Sequence, residues 1–340
     1  MTEVAVITGG SAGIGRATAG EFAKRGCKVA LLARGRAGLE AAAREVDELG
    51  GEALLIPTDV ADYQAVERAA DQVVGEWGRI DIWVNNAFAG IFSRFMDMSM
   101  DEYRRVTDVT YFGQVHGTRA ALKHMLPQNS GSIVLIGSAL AYRGIPLQSA
   151  YCASKHAVQG FQDSVRVELL AMDSAVQLTM VQLPGVNTPQ FDWIRAYVKG
   201  TPQPVGAIYQ PEVAARAIWK AAHSSRKQWI VGAPAYQAIL ADKLRSPLLD
   251  RYLVATGNIE AQQGEPLAPD RKDNLFEPLD ADEDHGAHGR FDKQSRTNSP
   301  LLWASENRGW IAAGAAVLAL GAGLVTSRSG GPRPHSRERS

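Results

Sequence analysis

The sequence predicts an α/β fold: a doubly wound parallel sheet of about seven strands, with helices on both faces, in a single domain. Short apolar, β-rich runs alternate with helical patterns through roughly residue 235, and strands spaced by helices of this length are joined by right-handed crossovers. A glycine cluster stands directly between the first strand and the first helix, an arrangement that aims backbone N–H groups and a helix N-terminus at a phosphate. The residues that look chemical all fall at or just after the carboxyl end of a strand, where open sheets of this class bind ligands. Length alone, 340 residues, allows one large or two ordinary domains; the alternation favours one large one.

Taken in order, Val4–Thr8 is a β-rich run that enters Gly9-Gly-Ser11-Ala-Gly13-Ile14-Gly15, and a helical pattern follows over Ile14–Arg25 until Gly26 ends it. Gly9 permits the tight turn, Gly13 lets the backbone approach a ligand, and Gly15 allows close helix–strand contact. A glycine cluster by itself also describes a flexible loop; its place after the first strand of an alternating chain argues for the ligand turn. Strands are expected at Lys28–Leu32, Ala53–Pro57, Ile80–Asn85, Ser132–Gly137, Val176–Leu183 and Gln228–Val231. Between them, helices are expected at Arg36–Leu49, Tyr63–Trp77, Asp101–Leu126, Ala150–Ala171 and Pro211–His223, with Asp62 and Pro211 as helix-start residues. Tyr236–Val254 is amphipathic and reads as a helix or two at the domain edge, so the domain is bounded at 1–256.

The chemistry is concentrated in Ser149-Ala-Tyr151-Cys-Ala-Ser-Lys155, with Ser138 at the end of the preceding apolar run. A spacing of four is about one helical turn, so phenol and ammonium project from the same face. A phenol with a pKa near ~10 exchanges protons poorly at neutral pH, and a neighbouring cation stabilises its phenolate. The group is equipped to move a proton at a carbonyl or alcohol oxygen. Taken singly, each residue has an ordinary reading: core aromatic, solvated helix lysine, strand-end hydroxyl. Their joint spacing beside a phosphate turn favours the chemical one.

Thr8-Gly9-x-x-x-Gly13-Ile14-Gly15, Asn85-Asn86-Ala87, Ser138, Tyr151-x-x-x-Lys155 and Pro184-Gly185 together resemble the short-chain dehydrogenase/reductase family, over roughly residues 3–235. The resemblance implies a Rossmann-type fold and a nicotinamide dinucleotide as hydride carrier. It makes Tyr151 the general acid in carbonyl reduction and the general base in alcohol oxidation. Lys155 then lowers the Tyr151 pKa and binds the nicotinamide ribose, while Ser138 orients the substrate oxygen. Gly9, Ser11, Gly13, Ile14 and Gly15 belong to the dinucleotide turn. Asp59 and Val60 contact the adenine, Asn86 and Ala87 flank the adenosine side, and Pro184, Val186 and Thr188 hold the carboxamide. The family's long helices, here Asp101–Leu126 and Ala150–Ala171, often form dimer or tetramer contacts, so a homo-oligomer is expected.

Two positions depart from the family pattern. Thr110 in Val109-Thr110-Tyr-Phe-Gly113 stands where the family usually has a catalytic Asn; a hydroxyl hydrogen-bonds water but lacks the amide's paired donor and acceptor. Phe88 replaces the glycine of Asn-Asn-Ala-Gly; either it narrows the cofactor end of the pocket or the backbone there simply tolerates a side chain.

The second strand ends Leu32-Ala33-Arg34-Gly35-Arg36, without the acid that holds an adenosine ribose 2′-hydroxyl. Arg34 is suited to clamp a 2′-phosphate, with Arg36 assisting, and the expected cofactor is NADP(H) rather than NAD(H). After Thr188 the aromatics Phe191, Trp193, Tyr197 and Tyr209, with Pro189, Pro202 and Pro204, read either as a lid over a lipophilic carbonyl or alcohol or equally as packing residues. The main reading is a membrane-associated oxidoreductase; the alternative is a non-catalytic NADP(H)-binding protein recruited to a membrane, with Thr110 marking lost chemistry.

Balanced charge, 36 basic against 36 acidic residues, gives no reason to expect nucleic acid. Cys27 and Cys152 offer neither a disulfide framework nor metal spacing and read as reduced thiols. A first strand starting almost at Met1 leads us to expect a cytoplasmic catalytic domain. Residues 257–300 lose apolar periodicity and read as a polar, mostly disordered linker; His285 and His288 there read as part of a solvated acidic tract rather than a metal site. Residues 301–327 read as a membrane-anchoring helix, built on the uncharged run Trp310–Val325, with an Ala-rich soluble or disordered tail as the alternative, and a basic tail follows at 328–340. At ~1.5 Å per residue that run is short of a ~30 Å hydrocarbon core unless Thr326 and Ser327 join it.

Overall fold

The computed structural model describes residues 2–232, 250–255 and 258–309. Seven strands form one sheet: Val4–Thr8 (β1), Lys28–Ala33 (β2), Glu52–Pro57 (β3), Ile82–Asn85 (β4), Ser132–Ser138 (β5), Gln177–Leu183 (β6) and Gln228–Ile230 (β7). Their spatial order is β7-β6-β5-β4-β1-β2-β3 and every pairing is parallel. The chain runs outward from β1 to β3, then crosses back to β4 on the other side of β1. The order therefore reverses between β1 and β4, and a crevice opens beyond their carboxyl ends.

The helices are Gly13–Ala23 (α1), Arg36–Glu48 (α2), Tyr63–Trp77 (α3), Met100–Thr107 (α4), Gly113–Gln128 (α5), Ser149–Ala171 (α6) and Pro211–Ala222 (α7). Asp62 caps α3 through Ala65 N–H at 3.1 Å, and Gly78 closes it in the left-handed conformation at φ 79°. Burial of Val66, Ala69, Ala70 and Val73 follows the helical repeat and sets one face of α3 against the sheet. Each such valine contributes about 1.5–3 kcal/mol by leaving water.

The long helix expected over Asp101–Leu126 is interrupted. A capping box at Ser99 and Glu102 starts α4, and a π-helical turn over Asp108–Phe112 separates it from α5. Such a bulge is a single wide turn inside an otherwise continuous helical run, so the pattern alone reads as one helix.

The larger departure is the segment read as a disordered linker. Residues 258–299 belong to the same compact unit as the sheet. Gln263–Pro266 pairs antiparallel with Gly200–Pro202, and Ser295–Arg296 pairs parallel with Ile208–Tyr209. Between these two anchorages the chain crosses the carboxyl ends of the strands as a strap. Leu275 and Phe291 are its buried apolar anchors, and the rest is held by polar contacts. Arg271 donates to the carbonyls of Phe191, Asp192 and Ile194, and the Asn187 side chain accepts from Phe291 N–H at 2.9 Å. Backbone carbonyls meeting arginines from distant elements leave no periodic signature. His285 packs edge-on against Trp193 at 4.7 Å and His288 pairs with Glu212 at 2.8 Å. No group of three or more metal-ligating side chains occurs among the described residues.

Pro300–Glu306 forms a short helix in a second unit. Among the described residues no helix is long and apolar enough to cross a membrane; the run at 310–325 that carried that expectation lies outside them.

Candidate active site

The site is built on the ends of β1 and β4. Thr8 Oγ1 accepts from Asn86 N–H at 2.9 Å and Ala87 N–H at 3.0 Å, while Asn86 Nδ2 donates to Thr8 O at 2.9 Å. These bonds lock the glycine turn to the loop after β4. Gly9 and Gly13 hold φ of 67° and 57°, a region costly for other residues. A Cβ at Gly15 would lie 2.0 Å from Gly9 O, so only glycine lets α1 start this close to the strand. The first turn of α1 has no side-chain cap; Gly13 N–H donates instead to Gly286 O of the strap at 3.0 Å, and the helix N-terminus faces the crevice. The cradle fits a dinucleotide pyrophosphate.

A cavity of about 410 Å³ runs from this turn in two directions. Towards the edge of the sheet it is lined by Ser11, Arg34, Asp59 and Val60, and towards the centre by Asn86, Ala87, Ser138, Tyr151 and Lys155. Pro184, Val186 and Thr188 form another wall, and Gly9, Gly13 and Ile14 the floor. Gly15 lies under the turn rather than on the cavity surface. Asp59 is ion-paired to Arg105 at 2.7 Å and accepts from Ala61 N–H at 3.0 Å.

Ser138 ends β5, and its hydroxyl accepts from Leu140 N–H at 3.1 Å, which fixes its direction. Tyr151 and Lys155 sit in the first two turns of α6, on the face turned to that strand. Lys155 is 2% exposed and its Nζ donates to Ile136 O at 2.6 Å, 5.6 Å from the centre of the Tyr151 ring. Burial drives the ammonium down to about 7. Burial also pushes the Tyr151 phenol up to about 12, against the opposing pull of its hydrogen bond with Ser138. This departs from the sequence expectation of a phenol lowered by its lysine. Loss of water raises the cost of the phenolate, and Lys155, itself driven towards neutrality, does not compensate. The tyrosine holds its proton across neutral pH, as a proton donor must.

Thr110 does not line the cavity. Fully buried in the π-turn, its hydroxyl donates to Ala89 O at 2.8 Å and accepts from Ala89 N–H at 2.9 Å. Both capacities go to the loop after β4, so it clamps the backbone beside Phe88. Thr110→Val is expected to cost about 1–3 kcal/mol and to lower turnover, with Thr110→Ser restoring both; a valine variant that melts like the parent would refute the clamp. Phe88 lines the cavity and packs edge-on to Tyr151 at 5.9 Å, a wall for the phenol. Sequence reading missed Gln114. Its Nε2 donates to Ile136 O at 3.1 Å, the carbonyl that also receives Lys155, and its buried Oε1 has no hydrogen-bond partner among the described residues. One helical turn beyond Thr110, it could have been found only by knowing that the helix bulges there.

Of the aromatics expected to form a lid, Phe191 and Trp193 line the cavity. Phe191 packs against Phe92 and Phe291 at 6.4 and 5.6 Å. Tyr197 turns away to donate to Glu102, and Tyr209 is 1% exposed, packed beside Gly232. The strap adds lining residues that the sequence did not point to: Asn274, Leu279 and Asp280. Arg34, expected at a phosphate, donates to the carbonyls of Asn274, Leu275 and Phe276.

Comparison with known proteins agrees with this geometry. The family model described as short chain dehydrogenase matches residues 3–197. The chain is 34% identical over 253 residues to the uncharacterized oxidoreductase YxnA of Bacillus subtilis, covering 74% of this chain and 71% of the relative. It is 39% identical over 174 residues to the human dehydrogenase/reductase SDR family member 7, about half of each chain (50% and 51%). Among solved structures, an alcohol dehydrogenase from Thermococcus sibiricus complexed with 5-hydroxy-NADP superposes with a TM-score of 0.59 at 26% identity, covering 68% of this chain and 96% of that one. With its parallel seven-stranded sheet and the matched residues 3–197, the chain belongs to the short chain dehydrogenase family and is an oxidoreductase of that family.

Proposed function

We propose that the enzyme interconverts a carbonyl and an alcohol on a lipophilic substrate. The observation that carries this reading is the convergence of Ser138, Tyr151 and Lys155 in one cavity with the glycine turn. A bound nicotinamide supplies or accepts the hydride. The chain's own part is to bind, orient and move a proton. Gly9 and Gly13 let the pyrophosphate approach the first turn of α1, where it takes the place of Gly286 O on Gly13 N–H, and Lys155 holds ribose hydroxyls. Asp59, Val60, Asn86 and Ala87 bound the adenosine half, and Pro184, Val186 and Thr188 the carboxamide. Ser138 aligns the substrate oxygen, and Tyr151 gives up its proton as that oxygen becomes a hydroxyl. In the reverse direction the phenolate takes the proton back.

Phe88, Phe92, Leu140, Phe191, Trp193 and Ile194 line the cavity, a surface suited to a lipophilic substrate that excludes water. At the strand end alone, Arg34 without a neighbouring acid favours NADP(H). The test is a panel of hydrophobic aldehydes and ketones offered with NADPH and with NADH, followed by loss of reduced-nicotinamide absorbance. Turnover of at least one is expected, and none across a broad panel despite dinucleotide binding would sink the proposal. Attachment to a membrane through the uncharged run at 310–325 rests on sequence alone. Removing residues 301–340 is expected to move the protein from the membrane to the soluble fraction; unchanged fractionation removes that proposal.

A further inference from the structure

We infer that Asp280, carried by the C-terminal strap, sets the cofactor choice of this site in favour of NAD(H) over NADP(H). The inference rests on the dinucleotide reading above and reverses the preference that Arg34 alone suggests. In sheets of this class the adenosine ribose lies at the end of the second strand, where an acidic residue accepts a hydrogen bond from its 2′-hydroxyl. A carboxylate there repels a 2′-phosphate. β2 supplies no acid, ending Leu32-Ala33-Arg34-Gly35. The strap brings one from the other end of the chain.

Asp280 is 8% exposed and lines the cavity beside Arg34 and Ser11. Its main chain is fastened to the first turn of α2: Gly38 N–H donates to Asp280 O and Ala37 N–H to Ala281 O, each at 3.1 Å. That helix has no side-chain cap of its own, so the strap satisfies its free amides. The absence of side chains at Gly35 and Gly38 makes room. A Cβ on Gly35 would come 1.9 Å from Asp280 Oδ1, and one on Gly38 2.8 Å from Oδ2. The same strap occupies Arg34, whose guanidinium donates to the carbonyls of Asn274, Leu275 and Phe276. The cation suited to a 2′-phosphate is turned to backbone oxygens, and a carboxylate stands at the ribose end. The Thermococcus structure is 26% identical and covers 68% of this chain, and its cofactor does not decide the choice made here.

Dissociation constants for NADH and NADPH, measured on the full chain by energy transfer from tryptophan to the reduced nicotinamide without substrate, test this directly. The unaltered chain is expected to bind NADH about tenfold or more tightly than NADPH. Asp280→Asn keeps the main-chain bonds and is expected to raise NADPH affinity about tenfold while weakening NADH. Gly35→Ala, which forces the strap away by contact, is expected to shift the ratio the same way. Preference for NADPH in the unaltered chain overturns the inference, as does a ratio that neither substitution moves while both variants melt cooperatively. In those cases the oxidoreductase reading survives. Failure to bind either dinucleotide removes both readings, whereas a ratio that shifts in a protein reducing no carbonyl upholds the inference and removes only the substrate proposal.

Discussion

Tyr151→Phe is expected to lower kcat for carbonyl reduction by about 10²–10⁴-fold, the range a positioned proton donor supplies, while leaving the dinucleotide Kd within about twofold. The substitution removes one oxygen and keeps the ring, so the edge-on contact with Phe88 at 5.9 Å survives. Only the proton and the hydrogen bond with Ser138 are lost. Because burial holds the phenol at about 12, the parent keeps this proton throughout the neutral range. Steady-state rates with any carbonyl that the parent turns over decide the matter. A phenylalanine enzyme retaining a tenth or more of the parent rate would assign the proton to another group.

Lys155→Met is expected to abolish most turnover and yet to stabilise the protein below neutral pH. The ammonium is 2% exposed, and its folded pKa of about 7 lies well below its ordinary value near ~10.4. Below pH ~7 both folded and unfolded chains carry the proton, and the fold bears the full cost of a desolvated charge. Between about pH 7 and 10 the unfolded chain keeps a proton that the folded chain has lost, so stability rises with pH. Methionine fills nearly the same volume without that charge. Melting temperatures of parent and variant across pH 6–10 should therefore converge on the alkaline side and part on the acidic side, with the variant higher. Parallel curves would mean that Lys155 is not desolvated as described.

The sheet and the chemical trio were legible in the sequence because each rests on local pattern. Apolar runs such as Val29–Ala33 are buried whole, and the four-residue spacing of Tyr151 and Lys155 needs only a helix to place them on one face. Features that depend on contacts far along the chain were not legible. The π-turn at Asp108–Phe112 is not visible in the sequence, and Thr110, placed by resemblance where the family has a catalytic Asn, has its hydroxyl bound to Ala89 instead. The direction of the Tyr151 shift was misjudged because spacing reports neighbours and not water. Arg34 lines the cavity, but its partners, 240 or more residues away, lie in a segment whose composition shows no periodicity.

Arg34 and Asn274 are separated by 240 positions, and this gap fixes an order of assembly. During synthesis β1 through β7 have all emerged by Ile230, long before Asn274 and Asp280 leave the ribosome. A nascent chain at that stage has every strand of the seven-stranded sheet but lacks the cavity lining given by Asn274, Leu279 and Asp280. The last contacts to form around Arg34 thus come from among the last stretches of residues 1–299 to be made.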